Sequence, residues 1–124
     1  MKKGFTLVEI MIVVAIIGIL IAIAVPGFLR ARENSRGQAC QENLTKIDGA
    51  KEQWALEFKH SNGTPLADSA AFLGDQNIFG ANGYVKKTPL CPSSGTYTVS
   101  NIGLDPSCSI GSTNSPFKPH TMPE

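Results

Sequence analysis

The chain has 124 residues, of which 42% are hydrophobic and 17% charged, and its formal net charge is +1. That length is enough for one domain, and the near-neutral charge gives no support to general nucleic-acid binding. The aliphatic residues are concentrated in the first 25 positions, whereas the remainder is rich in Gly, Ser, Thr, Asn and Pro.

The N-terminal segment is apolar enough to cross a membrane. Phe5 to Val25 forms a run of 21 residues, which as a helix spans about 31 Å at 1.5 Å per residue. This length matches a hydrocarbon core of about 30 Å. Glu9 is the lone ionisable residue in the run, and a carboxylate inside lipid indicates a functional site.

A short motif opens this segment. Lys2-Lys3-Gly4 is followed by Phe5-Thr6-Leu7-Val8-Glu9 and then by the uncharged stretch from Ile10 to Val25. The arrangement resembles the type IV pilin superfamily: pilins, pseudopilins of type II secretion and competence pilins. The resemblance implies that a prepilin peptidase cleaves between Gly4 and Phe5 and N-methylates Phe5.

The resemblance also implies an assembly role for two residues. Cleavage gives Phe5 an α-amine, and Glu9 lies one helical turn further along. A carboxylate at that depth needs a cation or a proton. In the family, the amine of one subunit is proposed to meet the glutamate of a neighbour, which would set the axial register of packed helices. The remaining options are pairing of Glu9 with its own Phe5 amine, or a protonated Glu9 facing lipid.

The function implied is that of a structural subunit, with no enzymatic activity, no cofactor and no specific nucleic-acid partner. The precursor would be a single-pass protein of the inner membrane with a periplasmic C-terminal domain, and would later enter an extracellular or periplasm-spanning filament. Expected partners are further copies of the chain, prepilin peptidase, the inner-membrane assembly machinery, minor pilins and, before assembly, lipid. A major pilin and a major pseudopilin of type II secretion both fit.

Other interpretations of the N-terminus stay open. A secretory signal peptide would be cut after Ala22-Ile23-Ala24, although Glu9 and the length of the run argue against it. A membrane-anchored binding module that never polymerises is a second alternative, but a simple anchor has no use for Glu9. Charge alone leaves the orientation ambiguous, because Lys2 and Lys3 precede the run and several arginines follow it.

The apolar run continues as an amphipathic helix. A stripe of apolar residues predicts one nearly continuous helix from Phe5 to about His60, and it comprises Cys40, Leu44, Ile47, Trp54 and Phe58. Asn62-Gly63-Thr64-Pro65 supplies the stop signal. Pro26 and Gly27 predict a kink or a locally extended stretch. A static kink is favoured for the isolated subunit, whereas the resemblance implies that these residues form a hinge that melts when subunits pack into a filament.

The C-terminal half predicts a small antiparallel sheet packed on the helix, so the fold class is α+β, a pilin fold. The predicted parts are a short helix at Ala67–Leu73, a loop at 74–87, strands at Thr96–Ser100 and Ser107–Ile110, and a third irregular strand at Tyr84–Leu90. The predicted domains are a leader at 1–4, the membrane and filament-core segment at 5–26, and a periplasmic domain at 27–124. That domain divides into an amphipathic helix at 27–60, a loop and small sheet at 61–110, and a loose tail at 111–124.

The three cysteines are Cys40, Cys91 and Cys108. We predict a Cys91–Cys108 disulfide, because both residues lie in the sheet region and the translocated compartment allows disulfides. Cys91 reaches Cys108 only if residues 92–95 fold back, and a bridge to Cys40 is the rival. Otherwise Cys40 is a buried thiol.

No catalytic or metal-binding set is expected. His60 and His120 lie at a helix end and in the tail, and neither has a cysteine or an acid at the spacing of a metal site. Asp105 could contribute to a calcium loop, but a turn-forming role is favoured.

Overall fold

The computed structural model describes residues 2–66 and 78–124. Within these residues one long helix, α1 (Leu7–Glu57), is followed by two short strands, β1 (Tyr97–Thr98) and β2 (Ser107–Cys108). The predicted α+β class is confirmed. The predicted helix at Ala67–Leu73 lies outside the described residues.

Helix α1 has 51 residues, and its ends differ little from the predicted Phe5 and His60. The predicted stop at Asn62-Gly63 is wrong in detail, because the left-handed residue after the helix is Lys59, with φ of 56°. The His60 N–H donates to the Ala55 carbonyl at 2.9 Å, which is the pattern of a Schellman motif. A lysine therefore takes the position where glycine is most common.

Pro26 lies inside the helix, and α1 continues unbroken through Pro26 and Gly27. The locally extended stretch is therefore absent from the single subunit. Proline removes one backbone hydrogen bond, and the apolar turns before it and the polar turns after it remain helical. Melting of this segment on assembly stays a prediction.

The sheet is antiparallel and small. Tyr97 pairs with Cys108, and Thr98 pairs with Ser107. Both strands lie inside the predicted ranges, but each has only two residues. The expected third strand at Tyr84–Leu90 is not part of it; within the described residues this segment forms one isolated bridge, from Val85 to Phe79.

The core lies along one face of α1. The first buried cluster consists of Ala50, Trp54, Ala55, Ile78 and Ile102. The second consists of Cys40, Leu44, Cys91 and Cys108. The predicted apolar stripe is thus buried, except that the final residue, Phe58, is 38% exposed and packs against the Trp54 ring with 5.7 Å between centroids.

The tail at 111–124 contains no helix or strand, and hydrogen bonds hold it in place. The His120 N–H donates to the Gly111 carbonyl at 2.7 Å, and the Lys118 N–H donates to Asn34 Oδ1 on α1 at 2.9 Å. His120 itself is buried. The tail has little apolar surface, but polar groups of the helix fix its backbone instead.

Candidate assembly segment and a buried cysteine–histidine cluster

The N-terminal segment of α1 has no partner for its apolar surface. Every described residue from 2 to 32 is exposed. The helix is long and apolar enough to cross a membrane, and none of its most apolar stretch is buried. Apolar surface of this extent requires lipid or other protein to cover it.

The predicted cleavage site lies just before α1. Gly4 and Phe5 precede the first helical residue, Leu7. Phe5 is 86% exposed, and a Cβ added to Gly4 would meet no atom within 4 Å. The peptide bond predicted to be cleaved is therefore exposed and lies outside the helix.

Glu9 also has a local role, which was not predicted from the sequence. Its Oε2 accepts the Thr6 backbone N–H at 2.8 Å, and the Thr6 Oγ1 accepts the Glu9 backbone N–H at 3.3 Å. This reciprocal pair is a capping box, whose sequence signature is Ser or Thr followed three residues later by Glu or Gln. In the uncleaved chain Glu9 therefore stabilises the start of α1, so even a simple anchor would have a use for it.

The structure brings the predicted disulfide partners together without joining them. The Sγ atoms of Cys91 and Cys108 are 3.8 Å apart, whereas a disulfide has about 2.05 Å. Residues 92–95 fold back as required, because the Ser94 N–H donates to the Cys91 carbonyl at 3.0 Å. All three cysteines are free thiols in the structure. The structure does not show the disulfide, which stays a prediction.

Two further side chains meet this pair. Cys40, Cys91, Cys108 and His120 are all buried, and their ligand atoms all lie within 4.8 Å of one another. His120 Nδ1 is 3.4 Å from the Cys91 Sγ. The four residues come from α1, from the loop before β1, from β2 and from the tail, and we call them the Cys3His cluster.

Hydrogen bonds surround Cys40. The Tyr97 hydroxyl donates to the Cys40 Sγ at 3.4 Å, and the Asn43 Nδ2 donates to that hydroxyl at 3.2 Å. Burial, together with the neighbouring thiols of Cys108 and Cys91, raises the pKa of Cys40 to about 12 against the lowering effect of Tyr97. Burial and the Cys40 thiol likewise raise the pKa of Tyr97.

The pKa of Cys91 is shifted in the opposite direction. Burial alone would raise its pKa, but hydrogen bonds from the backbone N–H groups of Ser93 and Gly95, and from the Cys108 and Cys40 thiols, outweigh it and lower the pKa. Gly95 also approaches β2 closely, because an added Cβ would lie 2.6 Å from the Cys108 Sγ. The turn after Cys91 thus packs closely against the sulfur atoms of Cys91 and Cys108.

This cluster was not predicted, because its members do not lie at the short sequence spacings of common metal sites. His120 follows Cys108 by 12 residues, and Cys40 precedes Cys91 by 51. The available signal was compositional, since the chain has an odd number of cysteines and one histidine in its final residues. Asp105, the residue considered for calcium, is exposed in the turn between β1 and β2.

A capped, unpartnered apolar helix followed by a small α+β domain defines a membrane-anchored subunit with a pilin fold. Comparisons identify its relatives. The family model for the prokaryotic N-terminal methylation motif matches residues 1–25. Competence protein ComGC of Bacillus subtilis (strain 168) is 35% identical over 95 residues, which cover 74% of this chain and 83% of that protein. This chain therefore belongs to the type IV pilin-like superfamily.

Two other relatives come from different branches of the superfamily. Type II secretion system core protein G of Escherichia coli (strain K12) is 27% identical over 107 residues, 82% of this chain and 74% of that protein. Type IV major pilin protein PilA of Myxococcus xanthus (strain DK1622) is 46% identical over 56 residues, 45% of this chain and 26% of that protein. No solved structure gives a significant match. The chain is a pilin-like filament subunit whose precursor is anchored in the inner membrane.

Proposed function

We propose that this chain is the major, self-polymerising subunit of a type IV pilus-like filament used in motility, adhesion or DNA uptake. The observation that carries the proposal is the exposed apolar helix of residues 7–25 directly behind the Gly4-Phe5 cleavage motif. When each subunit moves its helix from lipid into a bundle of identical helices, the helices cover one another's apolar surface. No separate partner is then needed. A heterologous contact repeated along an axis produces a fibre.

A second candidate is the major pseudopilin of a type II secretion system. The match to core protein G over 82% of this chain favours it, because the match to PilA is confined to 45% of the chain. The two roles share processing and assembly and differ in use. Deleting the chain in its host distinguishes them, since loss of surface filaments supports the pilin and loss of protein secretion supports the pseudopilin.

The proposed mechanism uses the cleaved N-terminus. Prepilin peptidase releases residues 1–4 and methylates the new Phe5 amine, which keeps its positive charge. The periplasmic domain stays outside the lipid, and the inner-membrane machinery, together with minor pilins, moves the helix into the filament. There the Phe5 amine of one subunit neutralises Glu9 of its neighbour, because a carboxylate surrounded by apolar helices needs a cation. The role is structural and needs no catalytic group.

Substitutions at Glu9 and Thr6 test this mechanism. Glu9→Gln keeps the capping box, in which Gln replaces Glu, but it loses the charge. We expect filament mass to fall more than about tenfold in Glu9→Gln and in Glu9→Ala, since removing one partner of a buried ion pair costs roughly 3–5 kcal/mol. Thr6→Ala removes the capping hydroxyl and keeps the carboxylate, so it should still assemble. Filaments are measured by shearing and electron microscopy with each variant as the sole major subunit.

Intact-mass measurement accompanies the assembly test. The wild type and all three variants should lack residues 1–4, begin at methylated Phe5 and remain in the membrane before assembly. A mature start at Val25 would identify a secretory signal and would end the filament proposal. Normal filaments from Glu9→Gln would show that Glu9 acts as a helix cap and not as a charge partner.

A further inference from the structure

The four members of the Cys3His cluster are residue types that bind metal ions. Three sulfur atoms and one imidazole nitrogen converge in one place, with the Cys91 Sγ 3.8 Å from the Cys108 Sγ and 3.4 Å from His120 Nδ1. All the ligand atoms lie within 4.8 Å of one another. Three cysteines with one histidine form one of the standard ligand sets of structural zinc sites.

We propose that Cys40, Cys91, Cys108 and His120 bind one structural Zn²⁺ ion. A tetrahedral zinc ion with Zn–S distances of about 2.3 Å and Zn–N of about 2.0–2.1 Å places two sulfurs about 3.8 Å apart, and a sulfur and a nitrogen about 3.6 Å apart. The two distances above agree with these edges of the tetrahedron. The set of ligands also favours zinc over magnesium or calcium, which prefer oxygen atoms.

The site is closed. Its four ligands are between 0% and 7% exposed, which leaves no open coordination position for water or a substrate. Closed four-ligand sites are structural, whereas catalytic sites keep one position open. The ion would join α1, the loop before β1, strand β2 and the tail, and so would fix the sheet and the tail to the helix.

Hydrogen-bond donors surround the ligands, as expected for an ion that is bound by thiolates. Binding displaces one proton from each cysteine, so a dication with three thiolates and a neutral imidazole has a net charge of −1. The Tyr97 hydroxyl donates to the Cys40 sulfur at 3.4 Å, and the Asn43 Nδ2 donates to that hydroxyl at 3.2 Å. Such outer hydrogen bonds orient the ligands and balance their charge.

The zinc site explains more of the structure than the predicted disulfide does. A Cys91–Cys108 bridge would use only two of the four converging residues. It would also require the two sulfurs, now 3.8 Å apart, to approach to about 2.05 Å. In the zinc site all four side chains bind directly, and the odd number of cysteines is accounted for.

Metal analysis of the full-length chain tests the proposal. The protein is purified in detergent without chelator, dialysed against micromolar zinc and then against buffer, and its metal content is measured by plasma mass spectrometry. We expect about one zinc per chain in the wild type, and at least about tenfold less in Cys40→Ala and His120→Ala. His60→Ala is the matched control, because it removes the other histidine and should keep the full content.

These variants distinguish the zinc site from the Cys91–Cys108 disulfide. Cys40→Ala and His120→Ala leave Cys91 and Cys108 intact, so a disulfide would survive in both. Alkylation under denaturing conditions with chelator should modify all three cysteines of the wild type. A wild-type chain without zinc, or one in which only Cys40 is alkylated, would overturn the proposal.

A conservative variant and a spectroscopic probe guard against misfolding. His120→Cys keeps four ligands and should keep about one zinc per chain. Cobalt added to the chelator-treated wild type should give the sulfur-to-cobalt charge-transfer and intense visible bands of a tetrahedral thiolate site, and His120→Ala should lack them. If the wild type instead gave only the weak absorption bands of octahedral cobalt, the binding would be adventitious and the proposed site would be contradicted.

Discussion

At the residue scale, Lys51 shows how one charged side chain holds the turn between the strands. It lies on the core face of α1 with 0% exposure. Its Nζ donates to the carbonyls of Val99 at 3.2 Å and Asn101 at 3.3 Å, and also to that of Leu104. Asp48 lies 3.5 Å away and is partly exposed. The ammonium group thus joins three carbonyls of this turn, and the Asn101 carbonyl also accepts the Leu104 N–H at 3.1 Å.

Replacing this ammonium group should destabilise the domain. Lys51→Met keeps much of the volume but removes the buried ammonium group that three carbonyls share, which we expect to cost roughly 2–4 kcal/mol in the free energy of unfolding. Lys46→Met on the exposed face is the control and should change it by less than about 0.5 kcal/mol. Urea unfolding followed by fluorescence of Trp54, the one tryptophan, measures both. Equal effects of the two substitutions would show that the buried contacts contribute nothing.

At the scale of the element, two of the glycines of helix α1, Gly37 and Gly49, lie in contrasting surroundings. Gly37 is buried, and a Cβ added there would lie 2.4 Å from the Lys118 carbonyl oxygen. Gly49 is exposed, and a Cβ added there would meet nothing within 4 Å. Alanine favours a helix over glycine by about 1 kcal/mol, so the same substitution has opposite consequences at the two positions.

Gly37→Ala should destabilise the chain, because the Lys118 backbone must move away from α1 and repacking of this kind costs roughly 1–3 kcal/mol. Gly49→Ala should stabilise it by about 0.5–1 kcal/mol. Thermal unfolding of both variants, recorded by near-ultraviolet circular dichroism, gives the sign of each change. Stabilisation by Gly37→Ala would mean that the tail does not pack against the helix there.

The long helix and its buried stripe could be predicted because both depend on local periodicity. Cys40, Leu44, Ile47 and Trp54 repeat at helical spacing, and the cleavage motif is contiguous. The Cys3His cluster could not be predicted in this way. It depends on how the loop before β1 and the tail fold back on the helix, and residue spacing does not encode that geometry. The contacts of the tail could not be predicted for the same reason, since its backbone is held by side chains of α1.

At the scale of the whole molecule, the chain divides into two compact units, Met1–Glu33 and Asn34–Glu124. Both buried clusters and the Cys3His cluster lie in the second unit. The first unit contains the apolar segment, whose described residues up to Arg32 are all exposed. Solubility and assembly are therefore properties of the first unit, and the stability of the packed domain is a property of the second.

Truncation tests this division. A chain of residues 30–124 loses the apolar segment and no buried side chain, so it should be soluble and monomeric without detergent. Its free energy of unfolding should stay within about 0.5 kcal/mol of the full-length value. A chain of residues 38–124 also loses Asn34, which accepts the Lys118 N–H, and Gly37, which packs against that residue. We expect it to be less stable by about 1 kcal/mol or more, as measured by urea unfolding in parallel. If the 30–124 chain failed to fold, or if it formed filaments, the two units would not have the separate roles assigned to them.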